Sequence, residues 1–449
     1  MTAIRAEAAE AVAMPLVDRA EVAPGGLPGG GLAWADALRT NGLARFRALG
    51  VPSRKVESWK YTDVRKLAAR DYAPAPAHVD GLSAVLRDEV EAAAAAEHSL
   101  VFVNGGLRRD LSKTGGLPNG ATLESTGELL AAGDALLAEQ LGRVGDADDQ
   151  AFLSLNAALM RDGFVLRLAP DTVVEAPIRV AFLTDHADGP VATHPRNLVV
   201  VGDNAQATLV EIHRGLNGVE YFSNAVTEIS VGAGARLHHY KLQDEGDAAL
   251  HLANSPVRLG RDTTYDSFIL SFGALMARND IRAELAAPGI DCRLSGAYVA
   301  RGRQHMDTTT AIDHAVPDCR SREVYAGVLD DQARGVFQGK IVVRRDAQRT
   351  DGHQLNRALL LSKGAEIDSK PELEIYADDV KCSHGATAGE IDADALFYLR
   401  ARGIDADVAR ALLIEAFLME SLQEVQVEAV REEFAARLKA RLALLRGDR

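Results

Sequence analysis

The sequence predicts a mixed α and β chain in which a central β-helix, a solenoid of stacked β-coils, is flanked by α-helical N-terminal and C-terminal parts. Three observations carry this prediction. From Phe164-Val165-Leu166-Arg167-Leu168 to about Asp392, short β-rich runs divided by Gly, Asn and Asp replace any 3.6-residue periodicity. Within that region the turn clusters Gly202-Asp203-Asn204-Ala205, Gly232-Ala233-Gly234-Ala235, Gly260-Arg261-Asp262 and Pro288-Gly289 begin 30, 28 and 28 residues apart. A near-constant step between turns is what coils stacked on one another leave in a sequence, whereas the connections of a β-sandwich vary more. On both sides of the region the pattern is helical, which divides the chain into residues 1–162, 163–391 and 392–449.

Taken in order, the first residues are Ala- and Glu-rich and predict a loose helix to about Val22, broken by the loop Ala23-Pro24-Gly25-Gly26-Leu27-Pro28-Gly29-Gly30-Gly31. That glycine run follows no strand and lacks G-x-G-x-x-G spacing, so it reads as a linker and not as a phosphate cradle. Residues 32–49 form an amphipathic helix with Leu38, Leu43, Phe46 and Leu49 near helical spacing. The segment Glu57-Ser58-Trp59-Lys60-Tyr61-Thr62 mixes aromatics with cations, the pattern of a Trp lodged against the domain among solvated charges. Helix is expected over 81–97, 123–141 and 148–161, and a strand over Ser99-Leu100-Val101-Phe102-Val103.

Inside the solenoid, Thr227-Glu228-Ile229-Ser230-Val231 and Glu372-Leu373-Glu374-Ile375-Tyr376 alternate apolar and polar residues as half-buried strands do. The ends of a solenoid expose unpaired N–H and C=O groups, so residues 372–376 are a candidate docking edge. Beyond it, Asp392 or Asp394 is a plausible N-cap, Gly403 a stop and Asp405 a restart. Val408, Leu412, Leu418, Leu422 and Val425 give one apolar face, and Val430, Phe434, Leu438, Leu442 and Leu445 a second. A helical unit of this size has little core of its own, which makes it a candidate partner-binding pair.

The composition narrows the function classes. With 449 residues, 50 basic and 64 acidic side chains and a formal charge of −14, the chain is large enough for about three structural units and ill suited to nucleic acid or anionic membrane surfaces. No apolar run approaches the roughly 18 residues of a membrane span, and the charge-interrupted N-terminus offers no secretory h-region, so a cytoplasmic protein is expected. Cys292, Cys319 and Cys382 show no C-x-x-C spacing and fit free thiols in a reducing compartment. Three thiols also cannot supply the four that usually hold a cluster. Gly339-Lys340 is followed by Ile341, so no phosphate-binding loop is present. G-x-S-x-G, H-E-x-x-H and zinc-finger spacings are absent, and no catalytic residue is assigned.

Two polar clusters could carry chemistry. In His305-Met306-Asp307-Thr308-Thr309-Thr310-Ala311-Ile312-Asp313-His314, alternation could bring His305 and Asp307 to one face, with His314 further along; imidazole and carboxylate suit a divalent metal, although threonine-rich coils more often stack such residues as hydrogen-bonded ladders. In Cys382-Ser383-His384, an extended i, i+2 pair would present a thiolate and an imidazole together. Two ligands cannot close a coordination sphere, so iron or a cluster held there needs groups from another chain. A buried Cys beside a hydrogen-bonded His is the commoner meaning of Cys-x-His.

The stretch Lys370-Pro371-Glu372-Leu373-Glu374-Ile375-Tyr376-Ala377-Asp378-Asp379-Val380-Lys381-Cys382-Ser383-His384-Gly385-Ala386-Thr387, with Leu396-Phe397-Tyr398-Leu399-Arg400-Ala401-Arg402-Gly403-Ile404, resembles the C-terminal signature of the SufB/SufD family of iron–sulfur cluster assembly. Further likeness lies in Gln304-His305-Met306-Asp307, Asp313-His314, Gly327-Val328-Leu329-Asp330-Asp331, Val336-Phe337-Gln338-Gly339-Lys340-Ile341 and Gln354-Leu355-Asn356-Arg357-Ala358-Leu359-Leu360-Leu361-Ser362. Asp379 to Thr387 looks like the SufD branch, since the SufB branch carries an acidic Glu-His-Glu type sequence there, and Glu57-Ser58-Trp59-Lys60-Tyr61-Thr62 also resembles that branch.

The resemblance implies a central β-helix and a scaffold subunit without catalysis of its own. It implies pairing with SufB through the β-helix, binding of the ABC-type ATPase SufC by the C-terminal helices, and a role for His384, beside Cys382, at the SufB interface. The cofactor expected is transient iron or an iron–sulfur cluster shared with SufB, with none bound stably to the isolated chain. Two alternatives stand beside it. A β-helix carbohydrate-active enzyme would need paired acids and exposed aromatics along a cleft, against an aromatic content of 5% here. A homodimeric scaffold acting without SufB would use the same exposed coil edge.

Overall fold

In a computed structural model of the chain, the structure describes residues 15–17, 26–76, 81–145 and 149–447, with side chains to residue 443. Two sheets face each other, of eleven and ten strands among the described residues. Successive strands of the solenoid alternate between them, so each coil contributes one strand to each sheet. In the second sheet the strands begin at Gln206, Arg236, Thr264, Asp291, Arg320, Thr350 and Val380. These steps of 27 to 30 residues are the rhythm of the turn clusters. Pairing is parallel and in register from coil to coil: Leu237, Tyr265, Cys292, Ser321, Gly352 and Cys382 form one continuous file.

The turns stack as the strands do. Asn204 N–H donates to Ala233 C=O, Gly234 N–H to Arg261 C=O, and Asp262 N–H to Pro288 C=O, so each turn holds the one below. Asn204, Gly234 and Asp262 have φ of 58°, 67° and 55°, the left-handed region that Asn, Asp and Gly tolerate best. The regular punctuation of the sequence is the price of turning the chain sharply at one level of every coil.

Between the sheets lies an apolar core that includes Leu166, Val199, Ile229, Leu237, Leu259, Leu285, Ile312 and Ile341. Strands from before residue 163 join this body: His98–Val103 pairs with Ile178–Thr184, and Ala121–Ser125 runs antiparallel to Phe164–Leu168. The helix expected over 123–141 is instead that strand followed by two short helices, Thr126–Ala132 and Ala135–Gln140. Ser125 Oγ accepts from Glu128 N–H and starts the first helix; Gly133, at φ 70°, ends it; Asp134 Oδ1 then accepts from Leu137 N–H and starts the second. Apolar spacing hid three punctuation marks. The other expected helices appear as Ala33–Leu49, Ala84–Ala95 and Ala151–Leu159. The expected helix up to Val22 lies outside the described residues apart from 15–17, which are helical, and residues 23–25 of the glycine loop are likewise not described.

Trp59 packs on Phe152 with ring centroids 5.4 Å apart, and the Arg278 guanidinium lies 4.2 Å above its ring. At the C-terminus Asp392 and Asp405 cap helices Ala393–Ala401 and Ala406–Ser421, and Gly403 has φ 84° between them. Ile414, Leu418, Leu422, Val425, Val430, Phe434, Leu438 and Leu442 are buried against the outer face of the second sheet, Phe434 on Phe268. Arg179 clamps Glu433 at 2.6 and 2.8 Å. Helices Ala406–Ser421 and Glu428–Gly447 therefore close the outer face of the second sheet. Val408 and Leu412, expected on the apolar face, are 44% and 42% exposed, because the buried face of their helix is the one that carries Ala409, Ile414 and Leu418; the Leu445 side chain is not described. No helix among the described residues is long and apolar enough to cross a membrane.

Candidate functional site

Both sheets stop at the same coil. Glu366–Ile375 is the last strand of the first sheet and Val380–Gly389 the last of the second, each paired on one side only among the described residues. Residues 372–376 are thus not the final strand: one more follows, and Cys382-Ser383-His384 lies on the edge itself. The single-sequence pattern missed it because, with no coil above, its inward and outward positions do not differ in hydrophobicity.

In the strand beneath, Thr350, Gly352, Gln354, Asn356 and Ala358 are buried while the residues between them are not. Cys382 is in register with Gly352 and His384 with Gln354, so both side chains belong to the inward set. Cys382 is half-buried on the apolar core, whereas His384 is exposed at the mouth of the solenoid. Burial pushes the Cys382 thiol up, the Gly352 backbone N–H offsets this in part, and the Asp351 carboxylate adds to it. The thiol is protonated at neutral pH and must release its proton to ligate. On the rim, His353 places Nδ1 2.6 Å from Ser383 Oγ and Nε2 2.7 Å from Asp351 Oδ1. Cys292 and Cys319 are fully buried deeper in the solenoid, far from ligand duty at the edge.

Directly below His384 the inward file runs through Gln354 to Glu323. Glu323 Oε1 and Oε2, Gln354 Oε1 and Nε2, Asn356 Oδ1 and Tyr325 Oη are buried without a well-aligned hydrogen bond to another protein group, although Thr310 and Gln354 lie beside Glu323. Burial pushes Glu323 up to about 7, with Thr310 and Gln354 drawing it back only in part. Sequence reading did not find these residues, yet a one-coil shift would have: His353 precedes Ser383, and Gln354 precedes His384, by 30 positions.

Because the folded-state pKa of Glu323 lies above that of the unfolded chain, the stability it contributes is full below about pH 4.5 and is lost as pH rises through 7. Glu323→Gln keeps the shape without the charge. It is expected to raise the thermal midpoint at pH 8, by up to about 3 kcal/mol of stability, and to leave the midpoint at pH 4.5 unchanged. Melts at the two pH values check this, and equal shifts at both would refute it.

The second sequence cluster has other duties. Thr62 Oγ1 lies 2.8 Å from His305 Nε2 and also donates to Asp307, which is paired in turn with Arg278. Gln338 Nε2 donates to Ser58 C=O, and Lys370 pairs with Glu57. His305 and Asp307 therefore latch the Glu57–Thr62 segment onto the solenoid. His314, at the other end of strand His305–His314 and about 30 Å away along it, has Nε2 2.8 Å from Ser321 Oγ. His305 and Asp307 share a face as expected, but Thr62 occupies it and His314 lies apart; Cys382 and His384 share the inward face of the edge strand.

The SUF system FeS cluster assembly SufBD core domain matches residues 182–417, and the SufBD protein N-terminal region matches residues 31–180. An iron–sulfur cluster assembly SufBD family protein of Synechocystis is 34% identical over 394 residues, 86% of each chain. The iron–sulfur cluster assembly protein SufD of Escherichia coli is 32% identical over 407 residues, 89% of this chain and 91% of its own. SufD of Bacillus subtilis is 28% identical over 294 residues, covering 64% and 66%. The solenoid, its exposed edge and these matches over both the N-terminal region and the core agree: the chain belongs to the SufBD family of iron–sulfur cluster assembly proteins, as a SufD-type member.

Proposed function

We propose that this chain is a non-catalytic scaffold subunit that works in the cytoplasm, joined edge to edge with a SufB solenoid, and that Cys382 and His384 offer ligands to iron or a nascent cluster held between the two. One observation carries the reading: both sheets end unpaired at the same coil, and that coil bears Cys382 and His384 in its inward register. A parallel edge satisfies its backbone by adding a strand from another chain. Two ligands from one side leave the rest of the coordination sphere to the partner. A second copy of the chain could cover the same edge when SufB is absent, while family membership displaces the carbohydrate-enzyme alternative.

Co-expression with SufB and SufC, followed by anaerobic purification, tests the reading. The expected result is a three-subunit complex that carries iron and sulfide with visible charge-transfer absorption. A chain that never co-purifies with SufB, or a complex that never gains iron, would overturn it.

For SufC, the seat we propose is the exposed face of helices Ala393–Ala401 and Ala406–Ser421, where Phe397, Tyr398, Val408 and Leu412 are 73%, 56%, 44% and 42% exposed. Closure of an ATPase pair there would pull on helices packed along the solenoid and so reach the edge coil. Truncation at 405 is a poor test, because it also uncovers a sheet face closed by eight apolar side chains worth roughly 1.5–3 kcal/mol each. The pair Phe397→Asp and Leu412→Asp touches only exposed positions. It is expected to weaken SufC capture at least about tenfold with an unchanged melting temperature, and undiminished capture would count against this face.

A further inference from the structure

Six strands down the second sheet from the edge, the solenoid interior holds a second polar cluster that the edge site does not use. His213 lies on strand Gln206–Gly215, Glu245 follows strand Arg236–Asp244, and His251 lies on Leu250–Leu259 of the facing sheet. Their exposures are 1%, 6% and 0%. One donor atom from each falls within 4.8 Å of the other two. Around it stand other buried polar groups of the interior, Glu211, His239 and Lys241.

Its hydrogen bonding is incomplete in a particular way. His213 Nε2 lies 3.3 Å from Glu211 Oε2, while its Nδ1 has no partner. His251 Nε2 lies 2.8 Å from Lys241 Nζ, which also donates to Asn279 Oδ1 at 2.9 Å. The Nδ1 of His251 is 2.9 Å from Glu245 Oε2 without a hydrogen bond in line between them. Glu245 Oε2 accepts from Gln243 Nε2 at 2.9 Å. One fully buried ring nitrogen, His213 Nδ1, thus stands without a partner, and His251 Nδ1 meets the carboxylate of the same cluster at 2.9 Å.

We propose that His213, Glu245 and His251 form a buried binding site for one divalent first-row transition ion. Two imidazoles and a carboxylate with positions left open are the donor set that suits ferrous iron, and zinc takes the same ligands. Glu211 is placed to accept the Nε2 proton of His213, which leaves the Nδ1 lone pair for the ion, the second-layer carboxylate that metal-bound histidines ordinarily have. Ligation through His251 Nδ1 puts the ring proton on Nε2, facing Lys241 Nζ, so metal binding releases one proton from this pair. Glu245 stands just before a corner turn, two residues from exposed Asp247.

The full chain, stripped with chelator and titrated anaerobically with Fe(II) or Zn(II), gives the test. The wild type and a Cys382→Ser/His384→Ala variant are both expected to retain one equivalent after desalting. His213→Ala and the near-isosteric Glu245→Gln are expected to weaken binding at least tenfold, with circular dichroism unchanged for Glu245→Gln. X-ray absorption of the wild-type complex should show nitrogen and oxygen neighbours and no sulfur. No retained metal, equal retention in Glu245→Gln, or a sulfur shell would each overturn the proposal. Should His213→Ala fail to fold, the Glu245→Gln titration and the absorption spectrum decide it.

Discussion

His384→Ala is expected to abolish cluster accumulation on the anaerobically purified complex with SufB and SufC while leaving the complex itself intact. The argument rests on what the side chain does and does not touch. His384 is exposed, and its neighbour Ser383 is the edge residue that meets the His353 ring, so removing the His384 side chain leaves that contact in place. Its backbone stays in the ladder opposite Gln354, so the edge keeps its shape. A ligand that contributes nothing to the fold can be removed cleanly, and iron and sulfide per complex should fall at least about tenfold with subunit stoichiometry and melting temperature unchanged. Cys382→Ser is the harder variant to interpret, because that side chain is half-buried on the core and its loss mixes packing with ligation. Unchanged iron and sulfide in His384→Ala would remove His384 from the ligand set and leave the edge as a docking surface alone.

The solenoid was legible in the sequence because stacking imposes the same turn at the same level of each coil, and Gly, Asn and Asp at φ near +60° mark it. The edge residues Cys382 and His384 were legible as a Cys-x-His pair, but their strand was not, since an end coil lacks the covering layer that makes alternation visible. What sequence reading could not reach are contacts between coils. Glu323, Gln354 and His384 stand at three sequence positions about 30 apart and meet only because the coils are in register. The same holds for His213, Glu245 and His251, which come from two sheets and a corner. His305 and Asp307 had the residue types of a metal site; the segment that occupies them, Glu57 to Thr62, lies over two hundred positions away.

The most severe loss of stability is expected at the junction between the N-terminal helices and the solenoid, where Arg196 and Glu228 are 2% and 0% exposed. Arg196 donates to Glu228 Oε1 from Nε at 2.9 Å and from Nη2 at 2.5 Å, and its Nη1 reaches Asn156 on helix Ala151–Leu159. Glu228 also accepts from the backbone N–H groups of Gly142, Arg143 and Val144 at 2.9–3.3 Å, which anchors the loop after the short helices. The two partners are therefore not equivalent. Arg196→Met leaves a carboxylate that still has three N–H donors, and a cost of about 3 kcal/mol is expected; Glu228→Leu strands a buried guanidinium and three N–H groups together, at about 5 kcal/mol or more. Thermal melts with limited trypsin digestion read the ordering, the N-terminal helices being released first in Glu228→Leu. Surface pairs such as Arg65 with Asp63 should cost little when broken, because solvent screens them. If Arg196→Met proved the worse of the two, or if both fell in the range of surface pairs, the node would not be what seats the N-terminal helices on the solenoid, and the latch of Thr62 on His305 and Asp307 would have to carry that task alone.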